Sequence, residues 1–220
     1  MSYDLYVVTD ERLSRGLSHV EIARRASQGG ADVVQLRDKG LCGRDLYHVA
    51  RQVRAALSHL DTLFIVNDRV DVALATRADG VHLGQSDIPL RAVRMIVPPG
   101  FIIGVSVGNV EQAIEAERDG ADYVALSPVF DTASKSDAGE GRGLATLSEI
   151  QRAVGIPLVA IGGIDINNLC QVIEAGADGV AVVSAVVSQE DVEAATRTLK
   201  AMVRRCKEGR AQAPSSASGT

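Results

Sequence analysis

The residues best suited to chemistry fall in a few short clusters. Gln35, Arg37 and Lys39 occupy alternate positions of Gln35-Leu36-Arg37-Asp38-Lys39, so an extended chain turns all three to one side. An amide donor and two cations on one face suit a polyanion, because a guanidinium can grip phosphate oxygens in a fork and an ammonium adds a point charge. Asn67-Asp68-Arg69 and His82-Leu83-Gly84-Gln85-Ser86-Asp87 contribute two carboxylates, Asp68 and Asp87. Either Asp alone could cap a following helix. Facing a cationic segment, the pair resembles the way Mg²⁺ is held by one or two carboxylates together with substrate phosphates. Further on, Ile161-Gly162-Gly163-Ile164 and Val182-Val183-Ser184-Ala185 offer glycines and small residues that let backbone N–H groups approach an oxyanion.

The elements that must position these residues are announced by a repeated phrase. Gly30-Ala31-Asp32-Val33-Val34, Ala78-Asp79-Gly80-Val81, Gly120-Ala121-Asp122-Tyr123-Val124 and Gly176-Ala177-Asp178-Gly179-Val180 each end a helix-like stretch and open a short apolar run. Four more apolar runs lie between them, at 5–9, 63–67, 101–106 and 158–162. Continuous rather than alternating apolarity suits strands covered on both faces, as in a parallel sheet. Helix signals fill the gaps. Ser18 and Glu21 form a capping-box pattern, Asp165 can cap a helix whose Leu169, Val172 and Ile173 share one face, and Val192, Ala195, Leu199, Met202 and Val203 make a last apolar stripe.

Eight βα units predict an α/β fold, a single (β/α)₈ TIM barrel, which 220 residues can build although about 250 is typical. An open doubly wound sheet has the same local pattern, since periodicity does not show whether the eighth strand meets the first. In a barrel the chemistry belongs at the C-terminal ends of the strands, where every cluster above falls. The connection from Ser127 to Gly143, with Gly139, Gly141 and Gly143, is long for a βα loop and reads as a lid or binding loop. The expected organisation is a catalytic barrel over 1–206 and a polar, disordered tail over 207–220.

Composition narrows the partners. A net charge of -5 with interspersed signs provides no basic stripe, and four Tyr, three Phe and no Trp leave little for base stacking, which argues against nucleic acid. No apolar run approaches a membrane span, and the first strand begins too early for a signal peptide. Cys42, Cys170 and Cys206 are odd in number and lack paired spacing, which points to the cytoplasm. A homo-oligomer is left open. His19 and His59 read as helix or loop surface residues, His48 as a residue of the helix after the second strand, and His82 as a hydrogen-bonded structural imidazole in the fourth strand. The four histidines show no metal-ligand spacing.

The clusters together, with Tyr6-Val7-Val8-Thr9-Asp10, Gly104-Val105-Ser106 and the stretch Ser127 to Lys135, follow the motif order of the thiamine-phosphate synthase family. The resemblance covers everything before the tail. It implies substrates hydroxymethylpyrimidine diphosphate and thiazole phosphate, and a dissociative substitution that releases diphosphate. By motif, Gln35, Arg37, Lys39, Asn67, Ser106 and Lys135 would bind the pyrimidine diphosphate, with Arg37, Lys39, Ser106 and Lys135 assisting departure of the leaving group. Asp68 and Asp87 would bind Mg²⁺, and Thr132, Ser134, Gly163, Val183 and Ser184 the thiazole phosphate. Ser127-Pro128 stands where the family commonly has Gly-Pro, and Thr132-Ala133-Ser134-Lys135 where it has Thr-x-Thr-Lys, a change that keeps the hydroxyl. Val107-Gly108-Asn109 follows Ser106 where many members carry a His. A related thiazole tautomerase relies on that His, so Gly108 favours the synthase. A non-catalytic phosphate sensor on the same barrel would have no need of the two carboxylates.

Overall fold

The computed structural model describes residues 2–131 and 140–212. The short apolar runs form strands, and the segments between them wrap outward as helices, alternating as far as the eighth strand, which two helices follow. The elements are β1 (Leu5–Val8), α1 (His19–Gln28), β2 (Val33–Leu36), α2 (Gly43–Leu57), β3 (Leu63–Asn67), α3 (Val70–Ala75), β4 (Gly80–Leu83) and α4 (Leu90–Ile96). The second half has β5 (Ile102–Val107), α5 (Val110–Arg118), β6 (Tyr123–Leu126), α6 (Gly143–Ala153), β7 (Leu158–Ile161), α7 (Leu169–Glu174), β8 (Gly179–Val182), α8 (Ser184–Val187) and α9 (Val192–Gln212). All neighbouring strands are parallel and β8 closes on β1, with Leu5 opposite Val180 and Val7 opposite Val182. That closure excludes the open sheet and establishes a single (β/α)₈ barrel.

Alternation along each strand divides the apolar residues into two cores. Val7, Val34, Val66, Val81 and Val180 point outward into the layer shared with the helices. Tyr6, Val8, Ile65, Tyr123, Val159 and Ala181 point inward and fill the barrel. Both faces of every strand are therefore dry, which explains the unbroken apolar runs.

The repeated Asp has a structural purpose that the sequence pattern did not disclose. The carboxylate of Asp32 accepts the Leu5 N–H at 2.8 Å, Asp79 that of Phe64 at 2.7 Å, Asp122 that of Ile103 at 2.7 Å and Asp178 that of Leu158 at 2.9 Å. Each even-numbered strand thus ties the start of the strand before it, four times around the N-terminal end of the barrel. Three copies enter through a left-handed glycine, Gly30, Gly120 and Gly176; the fourth uses Arg77 at φ 54°, a conformation that costs a side-chain-bearing residue roughly 1 kcal/mol or more.

Several expectations are corrected by packing. The capping box of Ser18 and Glu21 forms at α1, but Asp165 binds the Asn167 N–H at 2.7 Å in the turn ahead of α7 rather than capping the helix itself. The polar tail does not begin at Lys207. Helix α9 runs to Gln212, and the Lys207 ammonium pairs with Asp4 beside β1; the remaining tail, 213–220, lies outside the described residues. Cys170 and Cys206 are far apart in sequence yet joined by a disulfide, since α7 and α9 pack side by side with the two Cα atoms 5.5 Å apart. Among the described residues no helix is long and apolar enough to cross a membrane.

Candidate active site

At the C-terminal mouth of the barrel, a cavity of about 340 Å³ is lined by Arg37, Lys39, Asn67, Asp68, Asp87 and Ser106. Strands β2 to β5 deliver these six side chains from consecutive ends, so the residues singled out on that side of the barrel come together. Arg37 is only 8 % exposed and Lys39 is open to solvent, which places one cation in the wall and one at the rim. Gln35, one pleat deeper on β2, does not reach this cavity. It is buried in the barrel, where its Nε2 donates to the Tyr6 hydroxyl at 2.7 Å.

Asp68 is held in a strained turn. Its φ is 60°, and the Arg69 N–H reaches back to the Asn67 carbonyl at 2.7 Å, closing a three-residue γ-turn. Strain of this kind persists where the surroundings impose it and gathers at functional sites. Asp68 does not cap α3, whose first turn has no side-chain cap. Asp87 accepts the Gly84 N–H at 2.6 Å, which folds the β4 loop so that its carboxylate meets that of Asp68. Partial burial, then the neighbouring Asp87, push the Asp68 carboxyl up to about 6, against the pull of Lys39 and Arg37. Two carboxylates forced together in a half-buried cleft relieve their repulsion by taking a proton or a cation. As hard oxygen donors they fit a divalent ion that keeps its remaining positions for water and phosphate. No cluster of three or more His, Cys, Asp or Glu side chains suited to a metal occurs among the described residues.

His82 is buried in the wall, as the hydrogen-bonded imidazole expected, with Nδ1 2.9 Å from the Tyr123 hydroxyl and Nε2 2.9 Å from Ser106 Oγ. It also borders the cavity. His19, read as a peripheral residue, is instead 1 % exposed, its ring bridging Thr9 at 2.7 Å and Asp38 at 3.2 Å. As the first residue of α1 it turns back over the end of β1, a placement that helical periodicity does not reveal.

The opposite side of the mouth is less assembled. Gly163, Val183 and Ser184 sit at the ends of β7 and β8, away from the cavity described above. A Cβ on Gly163 would fall 2.7 Å from the Asp131 carbonyl and 2.8 Å from Phe130 Cβ, so the crossing chain itself already demands glycine here. Ser184 is exposed at the start of α8. Thr132, Ser134, Lys135 and Gly139 of the proposed binding loop lie outside the described residues. The shoulders of that loop are joined, because the Gly141 N–H donates to Asp131 Oδ1 at 2.8 Å.

The sequence reading missed two contributors. Arg142, at the start of α6, borders the cavity with a guanidinium nitrogen 3.4 Å from where a Gly108 Cβ would lie. The only hint was its place at the end of the Gly-rich stretch. Gln85 donates to the Ser106 carbonyl at 2.8 Å and ties the β4 loop to β5.

A closed (β/α)₈ barrel with a cationic, carboxylate-bearing cleft at its C-terminal mouth defines a TIM-barrel enzyme. The family model described as thiamine monophosphate synthase matches residues 5–186. The thiamine-phosphate synthase of Methanoculleus marisnigri is 60 % identical over 96 % of this chain and 100 % of its own length, and that of Methanocella arvoryzae 60 % identical over 92 % and 96 %. A solved thiamine phosphate pyrophosphorylase from Pyrococcus furiosus superposes with a TM-score of 0.86 at 45 % identity, covering 93 % of this chain and 96 % of that one. The chain belongs to the thiamine monophosphate synthase family, and it is a transferase. A 3-hexulose-6-phosphate synthase, with a TM-score of 0.68 and 18 % identity, shares the fold alone.

Proposed function

We propose that this chain joins hydroxymethylpyrimidine diphosphate to thiazole phosphate, giving thiamine monophosphate and diphosphate. The observation that carries this reading is the cleft in which Arg37 and Lys39 face the Asp68 and Asp87 pair, a combination made for a polyanion accompanied by a divalent cation. Family membership supports the same substrates.

In this reading Arg37, Lys39, Asn67, Ser106 and Lys135 bind the pyrimidine diphosphate, with Gln35 supporting them from below. Thr132, Ser134, Gly163, Val183 and Ser184 take the thiazole phosphate, the last three from the opposite side of the mouth. Asp68 and Asp87 would hold Mg²⁺, and the chemistry it supplies when bound is neutralisation of charge on the leaving diphosphate. The bond between the pyrimidine methylene carbon and oxygen breaks first, and its electron pair leaves with diphosphate. The thiazole nitrogen then donates its lone pair to the cationic carbon, forming the new C–N bond. Arg37, Lys39 and Lys135 act where negative charge grows, on the departing oxygens, and the burial of Arg37 in the wall strengthens its contact. No enzyme nucleophile is required in this substitution. Gly108 leaves the tautomerase reading without the His it would need. The cytoplasm is the compartment proposed for the reaction; highly charged phosphorylated substrates do not cross a bilayer unaided and stay on the side where they are made.

The test is diphosphate release from hydroxymethylpyrimidine diphosphate, with and without thiazole phosphate and Mg²⁺. Release with thiamine monophosphate formation only when all three are present is the expected result. Isomerisation of a thiazole phosphate without the pyrimidine partner would replace this reading with the tautomerase.

A further inference from the structure

A continuous line of hydrogen bonds crosses the barrel interior beneath the cleft. Gln35 Nε2 lies 2.7 Å from the Tyr6 hydroxyl, Tyr6 2.9 Å from the Tyr123 hydroxyl, Tyr123 2.9 Å from His82 Nδ1, and His82 Nε2 2.9 Å from Ser106 Oγ. Tyr6 and Tyr123 are fully buried, and burial pushes both phenols up, so both remain O–H donors. The architecture gives way to this line: a Cβ on Gly104 would fall 2.0 Å from Tyr123 Cζ, so the glycine of β5 makes room for the ring. The imidazole of His82 stacks on that ring at 5.6 Å between centroids.

Each hydroxyl has one proton, so the order of donation follows from one end. With the Gln35 amide donating to Tyr6, the order that gives every proton in the line an acceptor runs from Tyr6 to Tyr123 and from Tyr123 to His82 Nδ1. An accepting Nδ1 leaves the proton of the neutral imidazole on Nε2, where it is donated to Ser106 Oγ. The Ser106 hydroxyl, accepting from His82, then has its own proton to offer to the cleft that it lines. We propose that Tyr123 is a positioning residue which, through His82 held as the Nε2–H tautomer, fixes Ser106 as a hydrogen-bond donor to the substrate. The donor then meets a leaving group that gains negative charge, where a pre-aimed proton helps more in the transition state than in the ground state. The kinetic part of the proposal rests on the synthase reading; the tautomer does not.

The experiment is ¹⁵N NMR of the full chain labelled at histidine, with the His82 signals identified by their loss in His82→Asn, alongside kinetics of Tyr123→Phe and Tyr6→Phe. The wild type should show a bare, accepting Nδ1 and a protonated Nε2 at His82. Tyr123→Phe, which keeps the ring and removes the hydroxyl, should give mixed tautomers and about a tenfold fall in kcat, with KM for the pyrimidine diphosphate within about twofold. Tyr6→Phe should shift both in the same direction by less. An Nδ1–H or evenly mixed imidazole in the wild type would overturn the proposal, because the line would then run the other way or in both. So would wild-type kcat and an unchanged tautomer in Tyr123→Phe. If Tyr123→Phe does not fold, the wild-type spectrum and Tyr6→Phe decide. Failure of the synthase reading would appear separately, as a wild type that releases no diphosphate whatever the state of His82.

Discussion

The two ends of this barrel use aspartate in opposite ways. At the N-terminal end Asp32, Asp79, Asp122 and Asp178 each accept a strand N–H, and Arg54, Arg94 and Lys200 pair with three of them. Asp4, although burial alone would raise it, is held down to about 2 by the ammonium groups of Lys207 and Lys200. At the C-terminal end Asp68 and Asp87 are set against each other, one in a strained turn and pushed up to about 6. One end spends its carboxylates on holding strands together. The other keeps a concentration of negative charge next to cations, which is unfavourable for an empty protein and useful for binding. The same side chain is structural where its partners are complete and, in the function proposed, a ligand where they are not.

The contrast can be broken most directly at the functional end. Asp87→Ala should lower Mg²⁺-dependent turnover by about 10²–10³-fold, in line with loss of a principal charge-stabilising element, while moving the thermal midpoint by less than about 2 °C. Steady-state kinetics and calorimetry on the same preparation check both halves. Full activity would make Asp87 a loop brace only.

The reverse experiment is Asp32→Ala. It strands the Leu5 N–H and removes one of the two carboxylates held by Lys200, so denaturant unfolding should show a loss of about 2 to 4 kcal/mol with kcat intact. A fall in kcat without a loss of stability would erase the division between the two ends.

The pH dependence of stability should carry opposite signs at the two ends. The folded Asp68 titrates near 6 against a reference of 3.8, so its unfavourable contribution is absent below about pH 4 and complete above pH 6. Asp68→Asn should therefore raise stability above pH 6 by on the order of 1 kcal/mol, after allowance for solvent screening of a partly exposed group, and change nothing below pH 4. Asp4 titrates near 2, so its favourable contribution is complete above 3.8 and disappears as the pH falls toward 2. Thermal unfolding from pH 2 to 8 of Asp68→Asn and Asp4→Asn distinguishes the two. A smaller refinement is Arg77→Gly, which should stabilise by about 1 kcal/mol by relieving the one left-handed non-glycine among the four junctions.

Much of the architecture was legible before any coordinates. The four Ala-Asp junctions and the unbroken apolar runs predicted eight buried strands, and all eight form where they were expected, because local punctuation and two-sided burial are properties of short segments. That Arg37, Lys39, Asn67, Asp68, Asp87 and Ser106 would line one cleft was legible for a related reason: they stand at or just past strand ends, and a barrel carries such positions to one mouth. Gln35 was placed on the correct face of β2, but its depth was not, since alternation gives a side and not a distance along the barrel axis.

The sequence by itself determined which segments become strands, which side chains each strand turns inward, and the chemical character of the mouth. Those follow from periodicity, turn chemistry and charge, all written within a few residues. Tertiary structure alone decided that β8 meets β1, that Asp68 and Asp87 share a cleft, that Cys170 reaches Cys206 and that α9 continues through Lys207 to Gln212. It also decided that His19 is buried, and that Gln35, Tyr6, Tyr123, His82 and Ser106 form one line. Each of these depends on distances between residues remote in sequence, and closure of the barrel sets those distances for all eight strands at once.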